Sequence, residues 1–231
     1  MTNLPDETWT RVERAPRRAL LVPLGSLEQH GPHLPLDTDT RIALAVAAGT
    51  ATGRDGVAVA PPVAYGASGE HAGFPGTLSI GTRALTELLV ELGRDASRDW
   101  EVVLFVNAHG GNADAVAAAL ACLRGEGRRC DAFHVGAASG DAHAGRTETS
   151  LLLHLVPDAV RLELAEEGEI RPVGELIDRL RREGVRSVSQ NGVLGDPRRA
   201  TAGEGERLLA ELIGACREAL DALLVMEPVH A

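Results

Sequence analysis

Short apolar runs alternate with stretches of helical periodicity along much of the chain. The runs RALLVPLG (18–25), GVAVAPPVAY (56–65), EVVLFVNAHG (101–110) and CDAFHVGA (130–137) are rich in β-branched residues and punctuated by Gly or Pro. They read as strands. Between them, DTRIALAVAAGTA (39–51), TRALTELLVELGRDASRD (82–99) and NADAVAAALACLRGEG (112–127) place apolar residues at helical spacing. The third opens on Asn112, a good N-cap type, and stops at a glycine. Further helices are predicted over 147–156, 174–184 and roughly 203–225. This β–α–β alternation, with near-continuous apolar strands, predicts an α/β fold whose largely parallel sheet is covered by helices on both faces. With no internal repeat, low-complexity linker or composition break, one domain over 1–231 is expected.

Composition narrows the function classes. At 231 residues and 44% hydrophobic, the chain can bury a full core. A net charge of −10 argues against nucleic acid or an anionic membrane as the main partner. Cys122, Cys130 and Cys216 are odd in number and lack metal-type spacing, so buried, inert thiols in a reducing compartment are expected. The polar N-terminus MTNLPDETWTRVERAPRR has no signal-peptide apolar region, and no apolar run reaches membrane-spanning length. A soluble, cytoplasmic protein follows as the expectation. Every basic residue is Arg, which fits a GC-rich genome better than it fits a function. With no lysine after a Gly-rich loop, a phosphate-binding nucleotide module is disfavoured.

In open parallel sheets, chemistry collects at the carboxyl ends of the strands. EQHGPHLPLDTD follows the first predicted strand, YGASGEHAGFPGT the second, NAHGGN the third and SGDAHAGRTETS the fourth. Glu28 and His30 are two apart on extended chain and so share a face. Asp39 lies nine residues beyond His30, at a helix start, and the glycines and prolines between can bring it back. His109 ends the third run, and His143 and Glu148 flank the helix that begins at 147. Three carboxylates and up to three imidazoles, with no thiolate, suit Zn, Mn or Fe(II) and disfavour a purely structural zinc. One metal does not need so many ligands, whereas two metals sharing a carboxylate would use them and activate water. Taken singly, each residue has a plainer role. His109 can cap a strand end, Glu148 can complement a helix dipole, and Asp37 or Asp39 can be an N-cap. His33 is expected to orient a ligand, His134 to be buried in a strand, His154 to sit at the core edge and His230 in a tail. A metal-dependent binding protein without turnover is disfavoured by His143, a spare proton carrier.

The motifs PLGSLEQHGPHLPLDTD (23–39), YGASGEHAGFPGTLS (65–79), NAHGGN (107–112), HAGRTETS (143–150) and GVLGDPRRAT (192–201) occur in this order. With them the chain resembles the creatininase family of metal-dependent amidohydrolases over nearly its whole length. That resemblance implies a three-layer α/β/α sandwich, a homo-oligomer and a binuclear centre of divalent ions, Zn with Fe(II) or Mn. By motif position it implies Glu28 on one metal, His30 on the other, Asp39 bridging, and His109 completing the first. Creatininase carries a glutamate two residues after its equivalent of His109, where this chain has Gly111. Glu148 is the replacement expected at the second metal, which adds it to the catalytic set with His143. His143 matches the family's proton-handling histidine. Glu70 and His71 are expected at the pocket rim against substrate, with Gly110 and Gly111 shaping the pocket. The reaction implied is attack of a metal-held water on a carbonyl, His143 passing a proton to the departing nitrogen. Creatininase closes its pocket with tryptophans, whereas this chain has only Trp9 and Trp100 and no aromatic near His143. The likeness runs instead to the branch that trims the modified mycofactocin precursor peptide, releasing a C-terminal Val–Tyr-derived unit. A small cyclic amide or formamide is the alternative substrate class.

Overall fold

The computed structural model describes residues 3–136 and 141–225. Within them, eight α-helices and four strands run in the order α1 (Trp9–Arg14), β1 (Ala19–Leu24), α2 (Thr38–Ala51), β2 (Val57–Val59), α3 (Gly81–Ala96), β3 (Val102–Asn107), α4 (Ala113–Gly125), β4 (Cys130–His134), α5 (Arg146–Leu155), α6 (Val173–Glu183), α7 (Val185–Val188) and α8 (Ala202–Val225). All strand pairs are parallel, in the order β2-β1-β3-β4. The register sets Leu21 beside Val59 and Leu104, and Leu24 beside Asn107.

Strand alternation divides the core between two faces. Leu21, Leu104 and Val106 pack with Ile42 and Val46 of α2, Leu151 and Leu152 of α5, and Leu212 and Leu220 of α8. Leu20, Val22, Val103 and Phe105 face the other way, onto Leu85 and Leu89 of α3 and Val116 and Leu123 of α4. Side chains point alternately to opposite faces of a strand, so β1 and β3, buried at every position, must be apolar throughout. Each fully buried Leu or Phe contributes roughly 1.5–3 kcal/mol. The expected three-layer α/β/α sandwich is the fold observed.

Several local expectations are corrected. The second strand stops at Val59 rather than running through the predicted 56–65, because Pro61 and Pro62 have no N–H for a ladder. His134 is exposed at the end of edge strand β4, not buried, and hydrogen-bonds Asn107 through Nδ1 at 3.1 Å. His154 is exposed rather than at the core edge, and Cys122 is exposed while Cys130 and Cys216 are buried. The predicted strand residue Ala137 and the tail residue His230 lie outside the described residues. The sequence pattern did not predict α1 or the four-residue α7. Among the described residues, no helix is long and apolar enough to cross a membrane.

Candidate metal centre

The carboxyl ends of β1 and β3, together with the chain after β2 and β4, form one polar floor. Beyond β1, Gly31 turns the chain with φ 66°, and His30 pairs antiparallel with Leu34 across that turn. The Glu28 N–H donates to Leu36 O at 3.0 Å. The doubled-back segment then enters α2, which returns Asp39 beside His30. Gly25 is needed at the exit of β1, since a Cβ there would overlap the backbone of Thr40.

The NAHGGN segment fastens three loops together. Asn112 donates to Gly25 O at 3.0 Å and to Asn107 Oδ1 at 3.0 Å, and its Oδ1 accepts from Ala67 N at 2.9 Å. Asn107 in turn donates to His109 O at 2.8 Å. Asn112 occupies the position before α4, as expected, but its side chain makes no cap bond there. It ties the loops after β1, β2 and β3 instead. Asp37 likewise precedes α2 without capping it and pairs with Arg41 at 2.7 Å.

At the centre, the two oxygens of Asp39 face different imidazoles. Oδ1 is 3.1 Å from His30 Nε2, and Oδ2 is 3.2 Å from His109 Nδ1. The Ser26 hydroxyl donates to Oδ2 at 2.7 Å. Glu28 lies between His71 Nε2 and His109 Nε2, 3.2 Å from each. Glu148, in the first turn of α5, accepts from Ala144 N at 2.6 Å and lies 3.9 Å from His30 Nε2. Ala144 holds φ 51°, a left-handed conformation costly for a non-glycine residue. Among the described residues, three groups have donor atoms within 4.8 Å of one another: Glu28–Asp39–His109, His30–His143–Glu148 and Glu28–His71–His143.

The structure therefore brings Glu28, His30, Asp39, His109, His143 and Glu148 together. It places His71 deeper than the expected rim: its side chain is buried and tilted against His143, ring centroids 4.6 Å apart. Glu70 is partly exposed, with Oε1 3.6 Å from His109 Nε2. Any side chain at Gly111 would overlap that oxygen and Ala67 O, which accounts sterically for the glycine. His33 bonds Thr149 Oγ1 at 2.8 Å; it joins the β1 exit to α5, and among the described residues it makes no ligand-orienting contact. Sequence reasoning missed Ser26 and Gln29, whose signal was only their place inside the GSLEQH run.

Burial dominates the electrostatics. It pushes the carboxyls of Glu28 and Glu148 up to about 7. Burial also opposes charge on His30 and His109, yet Asp39 beside the first and Glu28 beside the second raise them to about 10 and about 9. Asp39, equally buried, is held well below the usual carboxylate range by His30. Burial, then the charge on His109 and His30, lowers His71 to about 3, and burial with His30 and His71 lowers His143. Both oxygens of Glu28 are buried without a well-aligned hydrogen-bond partner among the described residues. A buried carboxylate in that state is costly unless a cation sits on it. His30 Nδ1 lies 3.1 Å from Glu28 O, an acceptor, so Nδ1 carries hydrogen and Nε2, beside Asp39, is the nitrogen a metal would take in place of its proton. This all-N/O donor set, converging lone pairs on shared space, fits divalent metal ions.

A cleft of about 780 Å³ opens above this floor. Glu28, His109 and His143 lie at its base, with Gly110, Gly111 and Glu70 beside them. Residues of α6 and α7 form the opposite wall, among them Ile177, Arg181, Arg182 and Arg186. Among the described lining residues there is no Phe, Tyr or Trp. Trp100 is in the sheet core and Trp9 on the surface.

Fold and site together define an α/β protein with a candidate metal centre at its strand ends, and the family it belongs to hydrolyses C–N bonds. The chain belongs to the creatininase family: the family model described as creatininase, creatinine amidohydrolase, matches residues 5–220. It is 57% identical over 205 residues to the mycofactocin precursor peptide peptidase of Mycolicibacterium smegmatis, covering 86% of this chain and 83% of that one. To the peptidase of the same name from Mycobacterium ulcerans it is 53% identical over 206 residues, covering 86% and 82%. A solved creatininase described as its Mn form superposes with a TM-score of 0.80 at 24% identity, covering 97% of this chain and 99% of the other.

Proposed function

We propose that the protein is a metal-dependent peptidase that trims the modified mycofactocin precursor peptide, releasing its C-terminal Val–Tyr-derived unit. The observation that carries the chemistry is Asp39, whose two oxygens face His30 and His109 separately while Glu28 lies buried with neither oxygen in a well-aligned hydrogen bond among the described residues. In this reading Glu28, His109 and Asp39 hold one divalent ion, and His30, Glu148 and Asp39 the other. Zn paired with Fe(II) or Mn suits such donors. When bound, the pair supplies Lewis acidity at the amide carbonyl and a water acidic enough to attack at neutral pH. His143, lowered by burial, is a neutral base at that pH and carries a proton to the departing nitrogen. Glu70, Gly110 and Gly111 line the cleft where the peptide backbone passes; His71 lies beneath them.

The substrate rests on the two peptidases that are 57% and 53% identical, and the cleft supports it. An open space of about 780 Å³ without an aromatic wall among the described residues suits an extended peptide better than a small planar ring. We also propose a homo-oligomer. Leu162, Leu164, Ile170 and Val173 are each at least 40% exposed, and apolar side chains left in water support self-association. The net charge of −10 favours neither nucleic acid nor an anionic membrane as partner, and a reducing cytoplasm suits the three free thiols.

The test is mass spectrometry of metal-loaded protein with the modified precursor and, in parallel, creatinine. Release of the C-terminal unit with creatinine untouched is expected. An intact precursor in the presence of protein holding two metals per chain would overturn the substrate, and one metal or none per chain would overturn the binuclear centre.

A further inference from the structure

Gln29 stands between Glu28 and His30 in the sequence, and its side chain is buried in a separate network. Its Oε1 accepts from Gly31 N at 2.8 Å. Its Nε2 is 3.0 Å from each of three atoms, Gly192 O, His71 Nδ1 and His143 Nε2. Its own main-chain oxygen is 2.8 Å from His143 Nε2. A main-chain N–H only donates and a carbonyl only accepts, so Gly31 and Gly192 together fix which end of the amide is oxygen.

The hydrogens can then be counted. Gln29 O accepts only, so His143 Nε2 carries a hydrogen and cannot also receive one from the amide. The amide has two hydrogens: one goes to Gly192 O and the other to His71 Nδ1, which must therefore be bare. Both neutral imidazoles are then Nε2–H tautomers, but they turn opposite edges to the centre. His143 presents a bare Nδ1, 3.8 Å from Glu28 Oε1. His71 presents its Nε2–H, 3.2 Å from the same oxygen.

We propose that residue 29 positions both histidines: its main-chain carbonyl makes His143 the proton acceptor of the centre, and the Gln29 side-chain amide turns an N–H of His71 towards Glu28. His71 then faces Glu28 with a hydrogen rather than a lone pair and is not itself a ligand, which removes Glu28–His71–His143 from the three groups within ligand reach. The acceptor role rests on the proposed use of His143 in amide hydrolysis; the tautomers do not. An amide is required at position 29. A carboxylate would repel Gly192 O and draw a hydrogen onto His71 Nδ1, turning a bare Nε2 towards Glu28. Gly192, at φ 81°, has no alternative either, since a Cβ there would overlap Gln29 Oε1.

The experiment is a two-bond ¹H–¹⁵N correlation spectrum of zinc-loaded protein with ¹⁵N-labelled histidine, signals assigned with His71→Asn and His143→Asn. Nε2–H patterns for both residues are expected. In Gln29→Glu, His71 is expected to change to the Nδ1–H pattern while His143, held by the main chain, does not. Gln29→Glu and the neutral Gln29→Met are both expected to weaken zinc binding about 10- to 100-fold in chelator competition. A wild-type His71 that is Nδ1–H or metal-bound at Nε2, or zinc affinity unchanged in both variants, would overturn the proposal. If the variants do not fold, the wild-type spectrum decides. Failure of wild-type protein to cleave the peptide would count against the substrate and leave this spectrum's answer standing.

Discussion

Asp39 and His143 are both buried in one centre, yet they are expected to fail differently when changed. Asp39→Ala removes a carboxylate whose two oxygens face His30 and His109, so both metals should be lost in elemental analysis of purified protein. His143→Ala should keep its metals and lose at least about 100-fold in kcat, the contribution of a positioned proton carrier. Metal loss in the His143 variant would make it a ligand. His33 offers a stability test away from the chemistry. Burial, and then the charge on His30, lowers its pKa to about 4. A histidine neutral in the fold and protonated when unfolded loses its stabilising contribution as pH falls from about 6.5 to about 4. The Tm difference between wild type and His33→Gln should therefore shrink across that window; a difference independent of pH would refute the shift. At this scale the residue types were legible, because carboxylates and imidazoles crowded after apolar strands have few uses. Their geometry was not. His71 belongs to the floor rather than the rim because the turn at Gly69–His71 carries its side chain inward beneath Glu70.

Among the elements, α6 and α7 set the character of the cleft. They rest on a small core of their own, Leu176, Leu180, Val185 and Leu194 with Phe74 and Val188, separate from both sheet cores. Arg186 donates to Gly73 O and its guanidinium lies 5.2 Å over the Phe74 ring, fastening this wall to the loop after β2. Arg181 and Arg182 line the cleft with their side chains exposed. They put positive charge opposite Glu70 and Asp114, which line the same space. Reversing both, Arg181→Glu with Arg182→Glu, should raise KM for the precursor peptide about tenfold and leave kcat near wild type, since rim charge acts on encounter and binding. A fall in kcat with KM unchanged would remove the arginines from substrate binding. The helix over 174–184 was legible from its periodicity. Its position across the cleft from the metal floor was not, because the apolar residues of α6 show that it packs but not against which partner.

For the whole molecule, the sheet and its two cores carry the fold, while metal ions held by the proposed ligands would tie the loops after β1 and β3 to the starts of α2 and α5. Ligands that bind only the folded state add stability by mass action, roughly 4 kcal/mol at a thousandfold excess over Kd. For a chain of this size that corresponds to a Tm lower by about 10 °C after chelation, with restoration on adding zinc. An unchanged Tm in protein shown to lose its metals would mean that the loops are held without them, by Asn107, Asn112 and Gln29.

The sequence alone determined the parallel sheet, since strands buried on both faces must be apolar at every position, and it determined the donor types at the strand ends. It also marked the turn that returns Asp39, because glycine and proline restrict local backbone whatever surrounds them. Only the tertiary structure decided which atoms meet. Asn112 ties loops rather than capping α4, His134 faces out, and Gln29 connects His71, His143 and Gly192 across 163 residues of chain. Hydrogen bonds of that kind depend on long-range packing to within a few tenths of an ångström, and no local pattern of residues encodes such a distance.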